Sequence, residues 1–114
     1  MITQEEIIAI TDRLKQPEIE KVILFGSYAY GTPDKDSDLD LVVVTKQESI
    51  PASFKEKMDI DIAINHYIMD YCRKFPIDLI IYTKGTYKMF VEKNSSFSKK
   101  IVKEGVILYE SKNA

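Results

Sequence analysis

With one cysteine, one histidine and no apolar stretch of membrane length, the 114-residue chain is poor in what builds disulfide frameworks, metal clusters and lipid anchors. Cys72 has no partner within the chain, so no intramolecular disulfide forms, which is compatible with a reducing cytoplasm. On a helical reading it falls among Ile68, Met69 and Tyr71, as a small buried hydrophobe rather than a reactive thiol. His66 is single and mid-helix, and reads as a surface or partner-facing residue rather than a metal ligand. Met1-Ile2-Thr3-Gln4-Glu5-Glu6 has no basic region and no long apolar run, so neither a secretory leader nor a membrane span is expected, and a soluble cytoplasmic protein follows.

An excess of charge is also lacking. Sixteen Lys and Arg face eighteen Asp and Glu, giving a net −2, and both signs are interspersed. A general nucleic-acid surface is not indicated, although Lys99-Lys100 is a local basic pair suited to docking a partner. Repeats, low-complexity tracts and linkers are absent. With 45% apolar residues the length supports one sizeable core, hence a single domain over residues 1–114. The sequence leaves self-association open.

What is present begins with Thr3 and Glu6, spaced as a capping box ahead of Ile7, Ile8, Ile10 and Leu14. This predicts a helix over 3–15, closed before Pro17. Ile19 to Phe25 ends in an apolar run and reads as a strand, stopped by Gly26. A short helix from Ser27 leads into Gly31-Thr32-Pro33-Asp34-Lys35-Asp36-Ser37, dense in turn residues, and a strand follows from Asp38 to Thr45. Residues 52–74 carry two periods. Met58 to Ile64 alternates like a strand, yet Phe54, Met58 and Ile62, then Ala63, Tyr67 and Tyr71, recur every four residues; the length and the lack of an internal breaker favour a helix. A strand over Ile77–Tyr82, helices near 86–93 and from Ser96 or Phe97 to Glu104, a stop at Gly105 and a strand over Val106–Tyr109 complete the reading. Strands alternating with helices indicate a layered α/β domain.

Ten residues separate Gly26-Ser27 from Asp38-Leu39-Asp40, and both ends are hinged on strand-like runs. In an extended strand Asp38 and Asp40 project from one face with Cα atoms ~6.6–6.8 Å apart. Such a pair repels and raises one pKa, so keeping both ionised calls for a cation, most naturally Mg²⁺ bridging to phosphate oxygens. Gly26 lets backbone approach a ligand without a Cβ, and Ser27 offers a hydroxyl and an N–H at the start of a helix, where amides point at an anion.

Leu24-Phe25-Gly26-Ser27-Tyr28-Ala29-Tyr30-Gly31-Thr32, followed by Asp36-Ser37-Asp38-Leu39-Asp40-Leu41, resembles the signature of the minimal nucleotidyltransferases of the DNA polymerase β-like superfamily. The likeness runs over about residues 20–110, including Ile101 to Glu110. It implies a polymerase β-like palm, an α+β domain with a small mixed sheet and helices packed against one side. It also implies a third acid on a later strand, here Asp78 in Phe75-Pro76-Ile77-Asp78-Leu79-Ile80-Ile81-Tyr82. By the same resemblance Asp38, Asp40 and Asp78 would hold two Mg²⁺ ions and carry catalysis, with Asp78 helping to deprotonate the acceptor. Gly26 and Ser27 would hold the β- and γ-phosphates of ATP or another NTP. Many relatives carry Arg after the Gly-Ser pair; here Tyr28 and Tyr30 stand there, with phenols that can hydrogen-bond phosphate or stack on a base. Asp59 and Asp61 also form a D-x-D, but on a helix they diverge by about 200° and read as solvated.

A palm of this size has no separate domain to grip an acceptor, so the acceptor pocket would come from another chain. The resemblance implies a helical HEPN-type partner and an antitoxin-like role in which AMP is attached to that partner. Two other functions stay open: a catalytically idle module that neutralises its partner by occlusion, which the presence of every acid argues against, and a small-molecule nucleotidyltransferase of the antibiotic-resistance kind, which an extra helical domain would favour.

Overall fold

The structure is a computed structural model that describes residues 1–112. Helix α1 (Gln4–Arg13) starts at the capping box: the Glu6 N–H donates to the Thr3 hydroxyl at 3.1 Å, and the Thr3 N–H donates to the Glu6 carboxylate at 2.9 Å. Two donors that a first turn leaves open are thereby satisfied. Ile7, Ile10 and Leu14 turn inward, whereas Ile8, counted in the sequence stripe, faces solvent.

Strand β1 (Ile19–Phe25) is followed by the one-turn α2 (Ser27–Tyr30) and strand β2 (Leu39–Thr45). Then come α3 (Phe54–His66), α4 (Met69–Cys72), β3 (Ile77–Tyr82), α5 (Lys84–Lys93), α6 (Ser96–Glu104) and β4 (Val106–Glu110). The sheet order is β3-β2-β1-β4, with β1 antiparallel to both β2 and β4, and β2 parallel to β3. The mixed sheet and layered α/β architecture agree with the sequence reading.

Both sheet faces are covered, so the helices are not confined to one side. Leu39, Leu41 and Val43 of β2 join Val22 and Leu24 of β1 in a core closed by Ile7 and Ile10 of α1, Leu14 just after it, and Ile64 of α3. The intervening residues Val42, Val44, Ile23 and Phe25 form a second core with Ile101 of α6, against which Tyr87 and Phe90 of α5 pack. The reason lies in β2. An interior strand apolar at both parities needs a layer on each face, and β2 is buried at every position except Asp40.

The stretch 52–74 is helical but broken. Tyr67 N–H bonds back to Ile64 and Ile68 N–H to Asn65, three-residue closures that tighten the chain and end α3 before α4 begins. Arg13 ties the break down, donating to the Tyr67 carbonyl at 3.3 Å and in bidentate fashion to Asp70 at 3.1 Å. The four-residue stripe that marks α3 as a helix is not its buried face: Phe54, Met58 and Ile62 are 79%, 41% and 59% exposed, while Ile64 is buried. His66 is exposed at the end of α3. Cys72 is half-buried against the larger core, and burial, then the Asp70 charge, push its thiol up, which keeps it protonated and unreactive. Among the described residues no helix is long and apolar enough to cross a membrane.

Candidate active site

The pairing of three strands assembles the acids. Phe25 of β1 lies opposite Asp40 of β2, and Asp40 lies opposite Asp78 of β3. Paired positions share a sheet face and neighbouring strands run ~4.8 Å apart, so Asp40 and Asp78 are side by side on the α5–α6 face. Asp38 precedes the strand rather than opening it. The ladder starts at Leu39, whose buried side chain anchors the opposite face and whose N–H donates to the Pro76 carbonyl at 2.9 Å. Asp38 and Asp78 are exposed and Asp40 is half-buried.

Gly26 closes the near side. Its φ of 75° and ψ of −161° belong to a region that only glycine visits freely. A Cβ there would stand 3.2 Å from Asp40 Cγ and closer still to Oδ2. The Gly26 carbonyl accepts from Ala29 and Tyr30 N–H at 3.0 and 3.1 Å, which winds α2, and Gly31, at φ 79°, ends it. No side chain caps α2, so its first amides are not consumed by a capping oxygen. Ser27 thus opens the helix directly after the glycine that touches Asp40.

Burial raises the Asp40 carboxyl above the ordinary carboxylate range, and the charges of Asp78 and then Asp38 push the same way. The folded chain holds this proton more tightly than the unfolded chain. Its stabilising contribution is therefore fully present below the unfolded value of about 3.9 and lost as pH rises through the raised folded value. Ionised Asp40 opposes folding at neutral pH. Accordingly, Asp40→Asn is expected to raise the Tm of the chelator-treated chain at about pH 7 and to bring no gain at about pH 3; thermal unfolding across this range checks it.

A cation would relieve the same repulsion, and hard carboxylate oxygens suit Mg²⁺. The acids alone do not make a finished cage: among the described residues no three His, Cys, Asp or Glu side chains converge to hold a metal ion. Mg²⁺ is usually held by one or two carboxylates together with phosphate and water, so a resident three-ligand cage is not required for it. Asp59 and Asp61 are elsewhere, ion-paired along α3 with Lys55 and with Lys57 respectively.

The two tyrosines after the Gly-Ser pair diverge. The Tyr28 hydroxyl accepts from Ile2 N–H at 3.0 Å and its ring packs on the larger core, so it is committed to the amino terminus. Tyr30 stays exposed and carries the Lys100 ammonium over its ring. Phe97 of α6 meets Phe25 edge-on. These α6 neighbours had no local signal: Lys100 reads in sequence as half of a docking pair, and only packing brings it to the turn.

A family model for polymerase β nucleotidyltransferases matches residues 5–114. The chain belongs to this family. It is 32% identical over 99 residues to "Putative protein adenylyltransferase MJ0141" of Methanocaldococcus jannaschii, covering 81% of this chain and 95% of that protein. A crystal structure described as a "putative nucleotidyltransferase" from Sulfolobus solfataricus superposes with a TM-score of 0.58 at 19% identity, covering 95% of this chain and 80% of that one. A toxin–antitoxin crystal structure with AMP-PNP superposes with a TM-score of 0.51 at 18% identity, covering 95% and 73%. At these identities the structural likeness is one of fold. Nucleotidyl transfer is the chemistry that this family membership supports.

Proposed function

We propose that the chain transfers AMP from ATP to a hydroxyl of a partner protein, as the antitoxin-like half of a pair with a helical HEPN-type chain. The observation that carries this reading is the row Asp40–Asp78 beside Gly26: two acids in register on adjacent strands, with a Cβ-free backbone turn in contact with one of them. The relative named as a protein adenylyltransferase supports AMP as the group and protein as the acceptor, and the toxin–antitoxin neighbour supports a paired partner.

In the proposed reaction an acceptor oxygen attacks the α-phosphorus, a P–O bond forms, the bond to the bridging β-phosphate oxygen breaks, and pyrophosphate leaves. Asp78, exposed on β3, receives the acceptor's proton. Asp38 and Asp40, with Asp78, would hold two Mg²⁺ ions, which when bound stabilise the charge on attacking and leaving oxygens. Gly26 and the α2 amides receive phosphate oxygens, and the Ser27 hydroxyl adds a hydrogen bond.

Ser27 separates the site reading from a merely local one. Ser27→Ala is expected to weaken ATP binding by ~1.5–3 kcal/mol, one hydrogen bond to a charged group, with Tm unchanged, because Ser27 caps no helix. Calorimetry alongside thermal unfolding checks both halves. The function itself is tested by incubating the chain, each NTP and the product of the neighbouring gene, then reading the partner by mass spectrometry. An AMP adduct that depends on Mg²⁺ and is lost in Asp40→Asn supports the proposal; a partner neutralised without any adduct would replace it with occlusion.

A further inference from the structure

Between Phe25 and Gly31 the chain has no basic residue, although Asp40 lies against Gly26 and the charges of Asp78 and Asp38 reach Asp40. A triphosphate entering there adds about four negative charges to those of the acids, and two divalent ions would offset only about four of that total. A side-chain cation from elsewhere in the fold would offset part of the remainder on the β- and γ-phosphates.

Helix α6 supplies one. Phe97 sets its ring against Phe25, centroids 5.7 Å apart, and one turn later Lys100 Nζ lies 4.8 Å from the Tyr30 ring centroid. Phe25 immediately precedes Gly26, and Tyr30 is the last residue of α2. Helix α6 thus touches the chain on both sides of Gly26, at the end of β1 and at the end of α2. The ion pairs of the described residues do not include Lys100. Its ammonium is held by a ring quadrupole instead of a carboxylate, a partner that restricts the side chain without neutralising it.

We propose that Lys100 binds the β- and γ-phosphates of the nucleoside triphosphate and the departing pyrophosphate, with Tyr30 as the positioning residue that aims it. The proposal rests on the nucleotide reading of the site above. A flexible ammonium that remains a point charge suits an anion whose oxygens redistribute as pyrophosphate leaves. The ring at position 30 in this account recruits its cation across the fold, where a basic side chain would have carried it directly.

Calorimetry on the full chain with Mg²⁺ and ATP, ADP or AMP tests this in the native protein and in Lys100→Ala, Lys100→Arg, Tyr30→Phe and Tyr30→Ala. Lys100→Ala is expected to weaken ATP about 10-fold or more, ADP less, and AMP not at all, with Tm unchanged because Lys100 is exposed. Lys100→Arg and Tyr30→Phe should keep most of the affinity, and Tyr30→Ala should lose part of it. Native-like ATP binding by Lys100→Ala overturns the proposal; if Asp40→Asn still abolishes the metal-dependent part, the nucleotide reading survives without it. Equal losses for ATP and AMP also overturn it, since a phosphate contact must scale with phosphate number. No ATP binding by the native chain overturns both.

Discussion

Asp78→Ala is expected to reduce AMP transfer to the partner by ~10²–10⁴-fold, the range for losing a positioned acid or base, while leaving much of the ATP affinity. The division follows from position. Asp40 is half-buried against Gly26, where the phosphates would enter, whereas Asp78 is exposed on the edge strand β3, facing whatever docks there. The strand should tolerate the change, because Asp78 is exposed and outside the core, and Ile77, Leu79 and Ile81 keep β3 on the larger core. Single-turnover transfer and ATP titration on the same preparation separate the two effects. Equal loss of transfer and binding would mean that Asp78 serves nucleotide and metal rather than the acceptor hydroxyl. Unchanged transfer would remove it from the site.

Gly26→Ala is expected to eliminate metal-dependent ATP binding and to lower Tm. Two costs combine. A non-glycine residue in this backbone region costs ~1–3 kcal/mol, and the new methyl would overlap the Asp40 carboxylate. The collision can be relieved only by moving Asp40 or by reopening the bonds from Ala29 and Tyr30 N–H to the Gly26 carbonyl. Either movement disrupts the contact between turn and acid. Gly31→Ala is the control: Gly31 also has positive φ, yet a Cβ there meets nothing within 4 Å, so it should cost stability without comparable loss of nucleotide. If Gly26→Ala bound Mg²⁺ and ATP normally, the close approach would have no bearing on ligand binding.

The elements were largely legible because each was signalled within a few residues: the Thr3–Glu6 box, the apolar runs of β1 and β2, the stop at Gly105. The misreadings have a common cause. The helix over 52–74 lacks Gly and Pro, yet it breaks at Tyr67–Ile68, where Arg13 from α1 bonds Tyr67 and Asp70. Its visible stripe, Phe54, Met58 and Ile62, marks helical period but not burial. Period is local, whereas the choice of which face lies inward depends on the sheet beneath. For the same reason the second helical layer of α5 and α6 could not be read from β2, whose continuous apolar run tells of two covered faces only once its neighbours are known.

By itself the sequence determined the order of the strands and of every helix but α4, the turn at Gly26, the spacing of Ser27 from Asp38 and Asp40, and the presence of Asp78 on a later strand. These are properties of nearest neighbours along the chain, fixed by backbone freedom, capping and side-chain alternation. Tertiary structure alone decided that Asp40 stands in register with Asp78 and against Gly26, that Tyr28 is drawn to Ile2, and that Lys100 reaches Tyr30. Those contacts depend on strand pairing and on helix packing over the second core. Chain segments far apart in sequence meet there because apolar surfaces must be covered, and the charges beside those surfaces are carried into place with them.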